Sequence, residues 1–148
     1  MFKAKDLMTT HVVTVTVDDT IDHAIDLMVR HRISGLIVVD REGRPVGVVS
    51  EFDLLELVCE GHTEQDSVSR FMSPELFGVA EEDSWVTLVD TFREKRVRRL
   101  PVLRGGMLVG IVTRHDLMGA IRDVRQQLRQ KAVNRPEGRQ PPRRNAEL

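Results

Sequence analysis

Apolar residues alternate with threonine across residues 12–17, the two-residue period of a short strand. Asp18, Asp19 and Thr20 then offer helix caps, and Ile21, Ala24, Ile25 and Met28 recur behind them at helical spacing. Residues 36–39 are an unbroken apolar run, the pattern of a strand buried on both faces. A Gly-containing turn at 40–43 leads to a strand over residues 45–49. Ser50 to Asp53 then opens a helix carrying Leu54, Leu55, Leu57 and Val58. The unit reads strand, helix, strand, strand, helix.

The same unit is written a second time. Gly47-Val48-Val49-Ser50-Glu51-Phe52-Asp53-Leu54 returns as Gly110-Ile111-Val112-Thr113-Arg114-His115-Asp116-Leu117, a shift of 63 residues. Further upstream the shift is 64, as from Arg32 to Arg96. The one-residue change falls in the turn between the last two strands, where a surface hairpin tolerates it. The second copy predicts strands at 76–80, 100–103 and 107–112, the first weakened by Gly78. It also predicts a helix capped by residues 82–84 and carrying Trp85, Leu88, Val89 and Phe92. A last helix runs from near Thr113 past Leu128.

These patterns divide the chain into a first repeat at 5–60, a polar linker at 61–69 and a second repeat at 70–124. A C-terminal helix extension and an Arg/Pro-rich tail occupy 125–148. Two such repeats, each too small to bury its own apolar face, imply an α/β domain in which the copies share a core.

Composition narrows the class. The 148 residues are 41% hydrophobic and 30% charged, with a formal net charge of −1. No global field favours nucleic acid, and no apolar run approaches the roughly 20 residues of a membrane helix. A single cysteine, Cys59, cannot form an internal disulfide and fits a reducing cytoplasm; its default is a buried or half-buried thiol. From Lys131 onward five basic residues face two acidic ones. That tail fits disorder, with an acidic partner or nucleic acid as a lesser reading. His11, His23, His31, His62 and His115 lack metal-ligand spacing, and His23 and His31 suit a solvated helix face. Met28, Met72, Met107 and Met118 fit apolar positions. No phosphate loop or nucleophile motif appears, so the expectation is a protein without an active site.

The residues Asp6-Leu7-Met8-Thr9 and Arg70-Phe71-Met72-Ser73, the Leu100-Pro101-Val102 strand and the paired Gly-x-x-[Ser/Thr]-x-x-Asp motifs resemble a tandem pair of CBS domains. CBS domains are the regulatory module named after cystathionine beta-synthase. The resemblance covers roughly residues 5–121. It implies a stand-alone regulatory module of two small sheets about a pseudo-two-fold axis, with a cleft on either side. It also implies adenine-containing ligands (AMP, ADP, ATP or S-adenosylmethionine), no required cofactor, and a homodimer acting on a further partner.

Physical chemistry supplies a reason for the motif. A strand ending at Val49 or Val112 delivers the chain to a helix start, where free N–H groups favour an anion. Ser50 or Thr113 caps that helix or bonds a phosphate. Asp53 or Asp116, one turn on, can accept a ribose diol. The same spacing is also an ordinary helix start, a cap followed by an acid, and the residues can serve both roles. The bland alternative is a ligand-free dimerisation protein.

The resemblance assigns one cleft to Ser50 and Asp53 with Leu76, Phe77, Val97, Arg98 and Arg99. It assigns the other to Thr113 and Asp116 with Thr14, Ile33, Ser34 and Gly35. Apolar members would sandwich a purine. Arg98 and Arg99 would make the first cleft the better host for phosphate, although Gly78 leaves it without the strand hydroxyl that Thr14 gives the second.

Overall fold

A computed structural model describes residues 2–61 and 66–135. The basic tail expected at its end lies largely outside the described residues. The first repeat contains α1 (Ala4–Leu7), β1 (Thr14–Thr16), α2 (Ile21–His31), β2 (Gly35–Val39), β3 (Pro45–Ser50) and α3 (Glu51–Glu60). A 3-10 turn (Val68–Arg70) precedes β4 (Val79–Ala80), α4 (Trp85–Lys95), β5 (Arg99–Arg104), β6 (Met107–Thr113) and α5 (Arg114–Val133). Each repeat forms a three-stranded sheet, ordered β1-β2-β3 or β4-β5-β6. In each, the first pair is parallel and the second antiparallel. The fold is α/β, two small mixed sheets with two repeats.

Local chemistry sets these elements. Thr20 accepts from the His23 amide at 3.1 Å to start α2, and Ser84 accepts from the Thr87 amide at 3.4 Å to start α4. Both helices end on an arginine in the left-handed region, Arg32 at φ 52° and Arg96 at φ 51°. Leu36, Ile37 and Val38 are essentially inaccessible, as a central strand requires. β4 covers only Val79 and Ala80 of the five-residue strand read from sequence. Cys59 is exposed rather than buried. Met107 and Met118 are exposed too, unlike Met28.

Each repeat has its own core, and each core is completed by the other repeat's lead-in. Ala4, Leu7 and Met8 pack with Leu88, Leu100 and Val112 of the second repeat. Val68, Phe71 and Met72 pack with Val15, Leu36 and Val49 of the first. Backbone bonds follow the same exchange. Thr9 and Ile111 bond mutually at 2.9 and 3.0 Å, and Val48 and Ser73 at 3.0 and 2.8 Å. Ile37 belongs to neither core, although it is buried; it faces the seam between repeats, as does Pro101, its equivalent. No helix among the described residues is long and apolar enough to cross a membrane.

Candidate functional site

A cavity of about 640 Å³ lies in that seam, within the range that holds small ligands. Ser50 and Asp53 enter from the start of α3, Leu76 and Phe77 from the segment before β4, and Val97, Arg98 and Arg99 from the approach to β5. All seven residues assigned to the first cleft therefore meet in one place. Ile37 and Pro101 also line it.

The helix start is a reciprocal cap. Asp53 Oδ2 accepts from the Ser50 amide at 2.8 Å, and Ser50 Oγ accepts from the Asp53 amide at 3.2 Å. Capping uses one carboxylate oxygen and leaves the other without a hydrogen-bond partner among the described residues. Thr113 and Asp116 repeat the arrangement with the same two distances.

The second constellation is not gathered in the same way. Asp116 lines a separate surface depression with His115 and with Phe2, Asp6 and Leu7 of the exchanged lead-in. That depression includes none of Thr14, Ile33, Ser34 and Gly35. Thr14 pairs with Ile37 in the sheet, and Ile33 packs on the first core. Ser34 and Gly35 line the first cavity instead. Pairing of Gly35 with Ser50 across β2 and β3, and of the Ser34 carbonyl with the Glu51 amide, puts them there. Arg99 joins them, donating from Nη1 to the Gly35 carbonyl at 2.6 Å and from Nη2 to the Ser34 hydroxyl at 2.5 Å. Of the two guanidinium groups expected to be open to phosphate, only that of Arg98 is free of such a contact among the described residues.

Charge on the cavity wall is balanced. Lys95, Arg98 and Arg99 face Glu51, Asp53 and Glu75. Lys95 Nζ stands 4.8 Å over the Phe77 ring, a cation–π contact that fixes one apolar wall. Burial, then the adjacent Arg98, pushes the Arg99 pKa below its ordinary value, with Glu51 opposing. The sequence pattern did not single out Lys95, Glu75, Phe52 or Leu55, which also line this space. Lys95 had a signal, since it stands two residues before Val97. Among the described residues no group of three His, Cys, Asp or Glu side chains is placed to hold a metal.

Two βαββα units with exchanged lead-ins and a cavity at their seam define a paired-repeat module. A family model described as CBS domain matches residues 4–60 and 68–123, and the chain belongs to that family. It is 35% identical over 118 residues to the CBS domain-containing protein YhcV of Bacillus subtilis (strain 168), covering 79% of this chain and 84% of that protein. It is 34% identical over 137 residues to the uncharacterized protein MJ1404 of Methanocaldococcus jannaschii. That match takes in 83% of this chain and 32% of the relative, so the chain spans about a third of its length. The crystal structure of CBSX2 in complex with AMP is similar at a TM-score of 0.76 and 30% identity, covering 84% of this chain and 99% of that one.

Proposed function

We propose that this CBS pair is a non-catalytic regulatory module that senses an adenine nucleotide in the Asp53 cavity. The observation that carries the reading is the meeting of Ser50 and Asp53 from one repeat with Leu76, Phe77, Val97 and Arg98 from the other. The similarity to a CBSX2 structure holding AMP supports it. Leu76, Phe77 and Val97 offer apolar faces to a purine, with the backbone beside Val97 at its edge. The uncommitted oxygen of Asp53 accepts from the ribose hydroxyls, and Arg98 with the α3 start receives phosphate. Because the cavity walls come from both repeats, an occupant with unequal affinity for two arrangements of the repeats shifts the balance between them.

A thermal-shift series with AMP, ADP, ATP and S-adenosylmethionine tests this. A ligand that binds only the folded chain raises the Tm by mass action. No rise with any of the four at millimolar concentration overturns the reading. Calorimetry on Arg98→Ala tests the phosphate role: unchanged ADP and ATP affinity removes it.

The partner proposed for the module itself is a second copy. Leu55 of α3 and Met118 of α5 are equivalents under the 63-residue shift, and both are largely exposed, at 64% and 58%. Matched apolar residues on the two halves suit a two-fold symmetric partner. Sedimentation velocity should show a dimer that Leu55→Lys and Met118→Lys dissociate.

A ligand-free dimerisation role is the second reading. It is favoured by the reciprocal caps, which alone account for Ser50, Asp53, Thr113 and Asp116.

A further inference from the structure

Arg99 opens β5, yet its side chain bonds outside its own repeat. Its two partners, the Gly35 carbonyl and the Ser34 hydroxyl, belong to the first repeat. Gly35 is the residue that the 64-residue shift sets opposite Arg99, at the start of β2. The contact depends on Gly35 having no side chain, because a Cβ there would lie 2.9 Å from Arg99 Nη1. Both partners are neutral, and among the described residues no carboxylate forms an ion pair with the guanidinium. Arg99 is half-buried, on the wall of the nucleotide cavity, with Arg98 beside it. A partly desolvated cation held only by neutral oxygens is under-neutralised, and a nearby anion competes for it effectively.

We propose that Arg99 is a charge-operated latch between the two repeats, released when an anionic group in the cavity takes the guanidinium from Ser34 and Gly35. The proposal rests on the nucleotide reading above and deepens it, naming the phosphate as the feature that is sensed. A phosphate offers two charged acceptor oxygens to the guanidinium fork, whereas Ser34 and Gly35 offer one neutral oxygen each. Adenosine has no such group and leaves the latch closed. The released segment is well placed to pass the change on. The Ser34 carbonyl accepts from the Glu51 amide at 3.0 Å, beside the Ser50 cap that forms the other cavity wall.

The test compares AMP with adenosine by calorimetry on the whole chain. In the wild type, part of the phosphate's interaction is offset by opening the latch. Ser34→Ala removes one latch bond and adds no atom, so AMP should gain about fivefold over adenosine, the worth of one such hydrogen bond. Gly35→Ala displaces the guanidinium sterically and should shift the ratio the same way. Arg99→Ala removes the guanidinium that joins Arg98 on the phosphate and should lower the AMP-to-adenosine ratio. If Ser34→Ala and Gly35→Ala bind both ligands with the wild-type ratio, or a lower one, the latch is overturned while the nucleotide reading stands. If neither ligand binds the wild type, the nucleotide reading falls and takes the latch with it.

Discussion

Val48 and Ser73 donate to each other's carbonyl, at 3.0 and 2.8 Å, across the division between the two repeats. The pair fastens the second repeat's lead-in to the first repeat's sheet. Thr9 and Ile111 do the same in the opposite direction. Deleting residues 1–9 removes buried Ala4, the packing of Leu7 and Met8, and backbone bonds to Glu81, Asp83 and Ile111. The truncated chain should lose more than about 3 kcal/mol in urea unfolding. A midpoint within experimental error of the full chain would refute the exchange as a source of stability.

Gly47 and Gly119 should respond to alanine with opposite signs. A Cβ on Gly47 would lie 2.5 Å from the Ser73 backbone oxygen, an atom that cannot yield without parting the Val48–Ser73 bridge. Gly47→Ala should cost roughly 1–3 kcal/mol. Gly119 sits inside α5 with nothing within 4 Å of a Cβ. Gly119→Ala should stabilise by up to about 1 kcal/mol. Thermal unfolding of the two variants decides both.

The two capping aspartates should behave alike in stability and differently in binding. Asp53→Ala and Asp116→Ala each remove the acceptor from a helix-start amide and should each cost about 1 kcal/mol. Only Asp53 lines the cavity between repeats. Asp53→Ala should therefore abolish the nucleotide-induced rise in Tm, and Asp116→Ala should keep it. A rise lost in both variants would mean that the second cleft also binds.

Acid should loosen the N-terminal lead-in. Lys3 and Lys5 reach Glu82 at 2.6 and 2.5 Å and hold its carboxyl at about 2, against an ordinary 4.5. A depressed carboxyl stabilises the fold above its unfolded pKa and loses that contribution as pH falls through the folded value. The stability gap between wild type and Glu82→Gln should be full above about pH 5, shrink as pH falls, and be absent only about one unit below the folded value, near about pH 1. All three side chains are exposed, so salt should shrink the gap. A gap that keeps its full size near about pH 1 would exclude the ion pairs as its origin.

The helices and central strands were legible because their signals are local. Caps at Thr20, Ser50, Ser84 and Thr113 and the apolar runs in β2 and β5 need no distant partner. The four-residue α1 and the 3-10 turn at Val68–Arg70 carried no such signal. Pieces that short do not hold by propensity; they are held by bonds to the opposite repeat. β4 came out shorter than its pattern because Leu76 and Phe77 line the cavity instead of pairing. At the site, the motif residues were readable by matching the repeats, and the seven-residue first cleft came from the resemblance to CBS domains. The Arg99 bonds to Ser34 and Gly35 were not. They join equivalent positions 64 residues apart, and comparing copies shows what two positions have in common, not that they touch.

The swapped lead-ins also bear on how such a chain can arise. A gene encoding one half alone would yield a product whose opening segment fits a twin, so its natural state would be an intertwined pair of identical subunits. Joining the twins head to tail makes that pairing intramolecular and independent of concentration. It also releases each half from having to match itself, so that a glycine on one side can meet an arginine on the other.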